Sequence, residues 1–147
     1  MLILSSPMDP RIEDSVTCIG PDRWLLGSLY ICEVVSVPSD AAVAIWEENG
    51  KTYCIRTSSG DERRGLNDSA ANRIHHAGTS AAVWNIGGMY IKVKAWRQNM
   101  QLESDTIRFV KRMSSVPTPE VVWMSASALH MRHALTSYVN IIGHFVD

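Results

Sequence analysis

Residues 83–96, VWNIGGMYIKVKAW, alternate apolar and polar side chains as a β-strand does. One face of this strand carries Met89, Ile91, Val93 and Ala95, and the other carries Tyr90, Lys92, Lys94 and Trp96. Two lysines therefore lie side by side on a strand otherwise suited to a core. Lysine on an open sheet face is ordinary, so the pair either meets solvent or holds an anion.

A hairpin over residues 43–57, VAIWEENGKTYCIRT, is the strongest local pattern in the chain. Asn49-Gly50 is the preferred pair for a two-residue type I′ turn. The register imposed by this turn places two pairs opposite each other, Glu48 with Lys51 and Trp46 with Tyr53. A pair of opposite charges and a pair of aromatic rings both favour the hairpin.

The remaining pattern predicts further strands and one helix. Residues 1–22 read as an irregular lead-in, 23–37 as one buried strand or two short strands broken at Gly27, and 58–69 as a loop. RIHHAG, AAVWNIG and MYIKVKAW predict three antiparallel strands, the last two joined at Gly87-Gly88. Residues 98–113 change to a helical period, with Glu103, Ile107 and Val110 on one stripe, and 117–123 predicts another strand.

The end of the chain, residues 124–147, predicts an amphipathic helix. Its apolar stripe comprises Met131, Leu135, Tyr138, Ile142 and Phe145. The order of the predicted strands and helices along the chain indicates an α+β fold, a mostly antiparallel β-sheet with one packed helix. The predicted division is a β-rich N-terminal extension with its hairpin over 1–69, a lobe over 70–123 and an amphipathic tail over 124–147.

Charge and cysteine content narrow the classes of function. The formal net charge is −1 with no basic or acidic block, which argues against nucleic-acid or membrane-surface binding through bulk charge. Cys18, Cys32 and Cys54 are widely spaced, which argues against a disulfide framework and against a zinc site. Reduced thiols predict a cytoplasmic protein.

Three segments in this order carry a resemblance to a known family: YIKV, then LESDTIRFVKR, then VPTPEVV. Together they resemble the N-terminal lobe of the aminoglycoside phosphotransferase family, within the protein-kinase-like fold. The likeness extends to fungal phosphotransferase-family proteins through GPDRWLLGSLYICEV and AGTSAAVWNIG, and it covers roughly residues 20–123. The family chemistry is ATP-dependent phosphorylation of a small-molecule hydroxyl.

The resemblance implies a site for ATP with Mg²⁺. It makes Lys92 the lysine that neutralises the nucleotide phosphates and Glu103 the helix carboxylate that pairs with it, whereas alternation alone does not choose between Lys92 and Lys94. Gly78, Thr79 and Ser80 occupy the position of the loop that covers the phosphates, although a simple β-turn explains them equally well. For Glu103 the alternative is a boundary residue that reaches solvent.

The resemblance also implies parts that these residues do not carry. A catalytic loop of the HxD type and a later D-x-D or DFG element are absent from the 147 residues. The family continues into a further strand and a hinge, which residues 124–147 do not resemble. We therefore expect a truncated N-lobe that binds ATP weakly and transfers no phosphate alone. The alternative is a non-catalytic interaction module that uses the sheet and the tail helix.

Overall fold

The chain folds into two five-stranded antiparallel sheets and, in its described part, a single α-helix. The computed structural model describes residues 12–27, 30–59, 70–77, 81–96, 103–127 and 136–145. After a 3₁₀ turn at Ile12–Asp14 the elements are β1 Val16–Gly20, β2 Arg23–Leu26, β3 Tyr30–Val35, β4 Ala44–Glu48, β5 Lys51–Thr57, β6 Arg73–Ala77, β7 Ala81–Ile86, β8 Met89–Trp96, α1 Glu103–Met113, β9 Pro119–Ser127 and β10 Thr136–Phe145. The predicted α+β class is confirmed.

Sheet A contains the first five strands in the spatial order β1-β2-β3-β5-β4. The predicted hairpin is confirmed, since Glu48 pairs with Lys51 and Trp46 with Tyr53. The two rings stack with centroids 5.5 Å apart. Positive φ angles of 51° at Asn49 and 75° at Gly50 fit the type I′ turn. Residues 23–37 form two strands separated at Gly27, the second of the two predicted alternatives.

Sheet B contains the last five strands in the order β6-β7-β8-β10-β9. The predicted meander of β6, β7 and β8 is confirmed, with Gly87 and Gly88 at positive φ in its second turn. Helix α1 follows β8 and contacts β9. Ile107 and Val110 on α1 are half-buried, whereas Phe109 and Met113 are exposed. The stripe that includes Ile107 therefore faces the protein.

One hydrophobic core joins the two sheets. Its buried members from sheet A are Val16, Trp24, Leu26, Cys32, Ala44, Trp46, Tyr53 and Ile55, and those from sheet B are Ala82, Trp84, Ile86, Ile91 and Val93. Trp84 is the largest fully buried side chain. Polar and ring contacts add to this core: Trp46 Nε1 donates to the Gly87 carbonyl at 2.9 Å, and the Tyr53 ring packs on Gly87. Trp24 Nε1 donates at 3.2 Å to Oδ1 of Asn72, the residue before β6. The inner faces of both sheets are therefore closed.

The tail helix predicted for residues 124–147 is wrong where the structure describes this segment. Residues 119–127 belong to β9, and Thr136–Phe145 form β10 between β8 and β9. Strand formers such as Val139 and Ile141 outweigh the helical spacing, because a strand here satisfies backbone groups of both neighbours. Gly143 lies where the register with β9 shifts, as expected of glycine in a strand. Residues 128–135 lie outside the described residues.

The irregular lead-in predicted for residues 1–22 is also wrong in its second half. β1 and β2 form a hairpin whose two-residue turn is Pro21-Asp22. Asp22 has a φ of 54°, and proline followed by a positive φ is the combination of a type II turn. Pro21 therefore lies in the turn that joins two strands. The loop at 58–69 lies outside the described residues beyond position 59.

Candidate functional site

Lys92 lies near the middle of β8 on the outer face of sheet B. Its neighbours along the strand, Ile91 and Val93, are buried in the shared core, so the alternation of the strand directs Lys92 away from that core. Lys92, Lys94 and Tyr90 are all half-buried. Because sheet A closes the inner face, the outer face is the side of sheet B on which a ligand can meet these lysines.

The strand register shows which residues share rows with the lysines across β7, β8, β10 and β9. The three rows are Val83–Lys92–Asn140–Met124, Ala81–Lys94–Tyr138–Ala126 and Asn85–Tyr90–Ile142–Val121. These positions hold two cations and no acidic residue. A surface of this composition attracts an anion, and the compact charge of a lysine suits a phosphate.

The structure says less about the other predicted site residues. Gly78, Thr79 and Ser80 lie outside the described residues. Glu103 is the first residue of α1, four residues before Ile107 and seven before Val110, so position 103 shares the side of the helix that faces the protein. The pairing of Glu103 with Lys92 stays a prediction.

Asn140 and Tyr138 are the site positions that sequence reasoning missed. They enter the rows of Lys92 and Lys94 through β10, which the helical interpretation of the tail concealed. A signal was present, because Tyr138, Asn140 and Ile142 alternate with Val139 and Ile141. Period-2 alternation of strand-forming residues would have predicted the strand.

A second charged cluster lies on the outer face of sheet A and differs in kind. Glu33 accepts from Arg56 Nε at 2.7 Å and lies 3.3 Å from Arg23 Nε. The Glu33 side chain is 15% exposed. The carboxylate is held by guanidinium groups from two neighbouring strands in charge-assisted contacts, so we interpret this cluster as a structural network that ties β2, β3 and β5 together.

The buried thiols are poor candidates for a nucleophile. Cys32 lies in the core, and Cys54 is fully buried on the opposite face of sheet A, where the connection over residues 36–43 crosses β5. Burial raises the pKa of both thiols, and neighbouring Glu33 adds to the effect. A raised pKa keeps the thiol protonated and inert near neutral pH.

This burial predicts a pH dependence of stability. The folded chain keeps Cys32 protonated at a pH where the unfolded chain ionises it, so the free energy of unfolding falls above about pH 8.5, by about 1.4 kcal/mol per pH unit. Urea unfolding of the wild type and Cys32→Ala at a series of alkaline pH values measures the difference. The variant should show a shallower decline, and equal declines would contradict the assignment.

The described residues hold no group of three or more His, Cys, Asp or Glu side chains placed to bind a metal ion. None of the helices among them is long and apolar enough to cross a membrane. No protein-family model matches the chain, and comparisons with curated proteins and with solved structures give no significant match. The geometry of sheet B and the resemblance of its motifs therefore carry the functional proposal.

Proposed function

We propose that this chain is the nucleotide-facing N-lobe of a kinase-like phosphotransferase of the aminoglycoside phosphotransferase type. Lys92 receives the phosphates of ATP on the outer face of sheet B, with Glu103 on α1 as its partner. The chain by itself binds ATP weakly and transfers no phosphate, and it acts in the cytoplasm. The observation that carries the proposal is that Lys92 lies in the middle one of three rows across β7, β8, β10 and β9, and these rows contain two lysines and no acidic residue.

The order of elements in sheet B supports this proposal. A three-stranded meander ending in the lysine strand is followed by α1 and then by β9. The resemblance implies one further strand after VPTPEVV, and β10 occupies that place in the chain and pairs directly with β8. With β9 and β10 as strands, this part of the chain is closer to the order of elements that the resemblance implies than a tail helix would be.

The side chains on this face explain why the chain binds ATP but does not transfer its phosphate. Lysine supplies charge and position for a phosphate tail, whereas transfer also requires a general base and acidic metal ligands. Magnesium, when bound, neutralises charge on the phosphates, and the rows around Lys92 contain no carboxylate to hold it. Mg²⁺ would therefore arrive with the nucleotide.

Titration of the ¹⁵N-labelled chain with Mg²⁺-ATP, followed by NMR, tests the site. We expect shifted amides concentrated in β7, β8 and β10, with a dissociation constant of about 1 mM or weaker. Lys92→Ala should weaken binding about tenfold, which corresponds to about 1.4 kcal/mol. Lys94→Ala is the matched control, because this lysine lies on the same face and strand, and we expect a smaller effect.

Two results would contradict separate parts of the proposal. Equal effects of the two alanine variants, or shifts confined to sheet A, would remove Lys92 from the site. Micromolar binding would contradict the weak nucleotide site, and phosphate transfer to a hydroxylated acceptor that is lost in Lys92→Ala would show that the chain is a competent enzyme.

The alternative function, a non-catalytic interaction module, retains one supporting observation. The tail helix on which it partly relied is wrong in the described residues, since 136–145 form a strand. Helix α1, however, exposes Phe109 and Met113 at 51% and 65%. Exposed large hydrophobic side chains of this kind are typical of contact surfaces when they cluster.

A further inference from the structure

The turn between β4 and β5 contains the only asparagine of the chain that a glycine follows, Asn49 before Gly50. Both residues are exposed, and nothing lies within 4 Å of a Cβ atom built at Gly50. The backbone nitrogen that follows an asparagine can attack its side-chain amide, and the nitrogen of a glycine is the least hindered because glycine has no side chain. The residues that specify this hairpin therefore also form a reactive site.

Asn72 provides an internal comparison, because it is also exposed and also has a positive φ, 65° against 51° at Asn49. The side-chain carbonyl of Asn72 accepts a hydrogen bond from Trp24 Nε1 at 3.2 Å. The nitrogen that would attack it belongs to Arg73, which has a large side chain, and this nitrogen donates to the Ala70 carbonyl at 3.2 Å. Both groups that would react at Asn72 are therefore engaged elsewhere.

We propose that Asn49 is a modification site at which the folded chain deamidates spontaneously through a cyclic imide with Gly50. The Gly50 nitrogen bonds to Asn49 Cγ, the Cγ–Nδ2 bond breaks, and the amide group leaves as ammonia with the proton of the Gly50 nitrogen. Water then opens the imide ring at one of its carbonyl carbons. The overall reaction consumes water, releases ammonia and involves no oxidant or reductant. This inference does not depend on the proposed nucleotide site.

The position at which water opens the ring decides what happens to the hairpin. Attack of water at Cγ gives aspartate, and this product keeps the hairpin because Asp-Gly is also a preferred pair for a type I′ turn. Attack at the main-chain carbonyl carbon gives isoaspartate, in which the backbone runs through Cβ and Cγ and is one atom longer. A two-residue turn sets the pairing of Glu48 with Lys51, so the longer backbone of isoaspartate disrupts this register.

The isoaspartate form should disturb the contact between the sheets as well as the turn. Trp46 Nε1 donates to the Gly87 carbonyl at 2.9 Å, and the Trp46 ring stacks on Tyr53, which packs on Gly87. Both aromatic side chains belong to the shared core, and they are paired across the strands that the turn aligns. A change of register at the turn therefore destabilises the whole chain, whereas conversion to aspartate does not.

Incubation of the intact chain at mildly alkaline pH, followed by peptide mapping with mass spectrometry, tests the reaction. Asn49 should convert at least tenfold faster than Asn72 in the same sample. Transfer of a labelled methyl group by an isoaspartyl methyltransferase measures the isoaspartate formed. Asn49→Asp is the matched control, because it lacks the amide leaving group, and it should accumulate isoaspartate at least tenfold more slowly than the wild type.

Urea unfolding tests the consequence for the fold. The isoaspartate form, purified from the incubated sample by chromatography, should unfold at a lower urea concentration than the fresh chain. Asn49→Asp should unfold close to the fresh chain, because its turn keeps two residues. Equal conversion of Asn49 and Asn72, an incubated wild type without isoaspartate, or an isoaspartate form as stable as Asn49→Asp would overturn the proposal.

Discussion

A chain cut after residue 135 is expected not to fold. β10 is an interior strand of sheet B and pairs along its length with β8 on one side and β9 on the other. Its removal leaves the backbone groups of both neighbours without their partners, and each lost hydrogen bond costs about 1 kcal/mol. A domain of this size has about 5–15 kcal/mol of stability in total. The summed loss therefore exceeds what the rest of the chain supplies.

The failure should spread to sheet A, because Ile91 and Val93 of β8 belong to the core that both sheets share. Hydrogen exchange followed by mass spectrometry measures this directly in peptides from β8 and from β3. A chain that lacks only residues 146 and 147 is the control and should retain full protection. If the longer deletion preserves protection in β8, the pairing with β10 is wrong.

The sequence predicts an element of this fold reliably when residues close to it in the chain determine its conformation. Asn49-Gly50 fixes its hairpin through the turn alone, and the register of the flanking pairs follows within a few residues. β10 shows the limit, because its residues satisfy helical spacing and strand alternation together. The presence of β8 and β9 on either side decides between them, and β8 is distant in the chain, since Asn140 pairs with Lys92.

The candidate site also combines features set by nearby residues with features set by distant ones. Alternation placed Lys92 and Lys94 on one face and Ile91 and Val93 on the other, which the buried core confirms. Alternation did not show which face of sheet B would be closed, because that depends on the packing of sheet A against sheet B. It also did not predict that Asn140 lies beside Lys92, because this position results from a pairing between strands that are distant in the chain.

The turn between β7 and β8 links the site strand to sheet A, and it does so through Gly87. The Gly87 carbonyl accepts a hydrogen bond from Trp46 Nε1 at 2.9 Å. A Cβ atom added at Gly87 would lie 2.7 Å from the Tyr53 ring. That distance is well inside van der Waals contact, and the ring is itself stacked on Trp46. The two aromatic side chains of the first hairpin thus hold the turn that begins the lysine strand.

Gly87→Ala is therefore expected to destabilise the protein by about 3 kcal/mol, in part from backbone strain at a φ of 56° and in part from overlap with the Tyr53 ring. Gly50→Ala is the matched control, because Gly50 has a φ of 75° in a turn of the same kind and nothing within 4 Å of an added Cβ. It should cost only the backbone strain, about 1 kcal/mol. Urea unfolding of both variants measures the difference, which reports the contact between the sheets. Equal losses would mean that the turn of β7 and β8 does not pack on Tyr53, and that the lysine strand is not held by sheet A at this point.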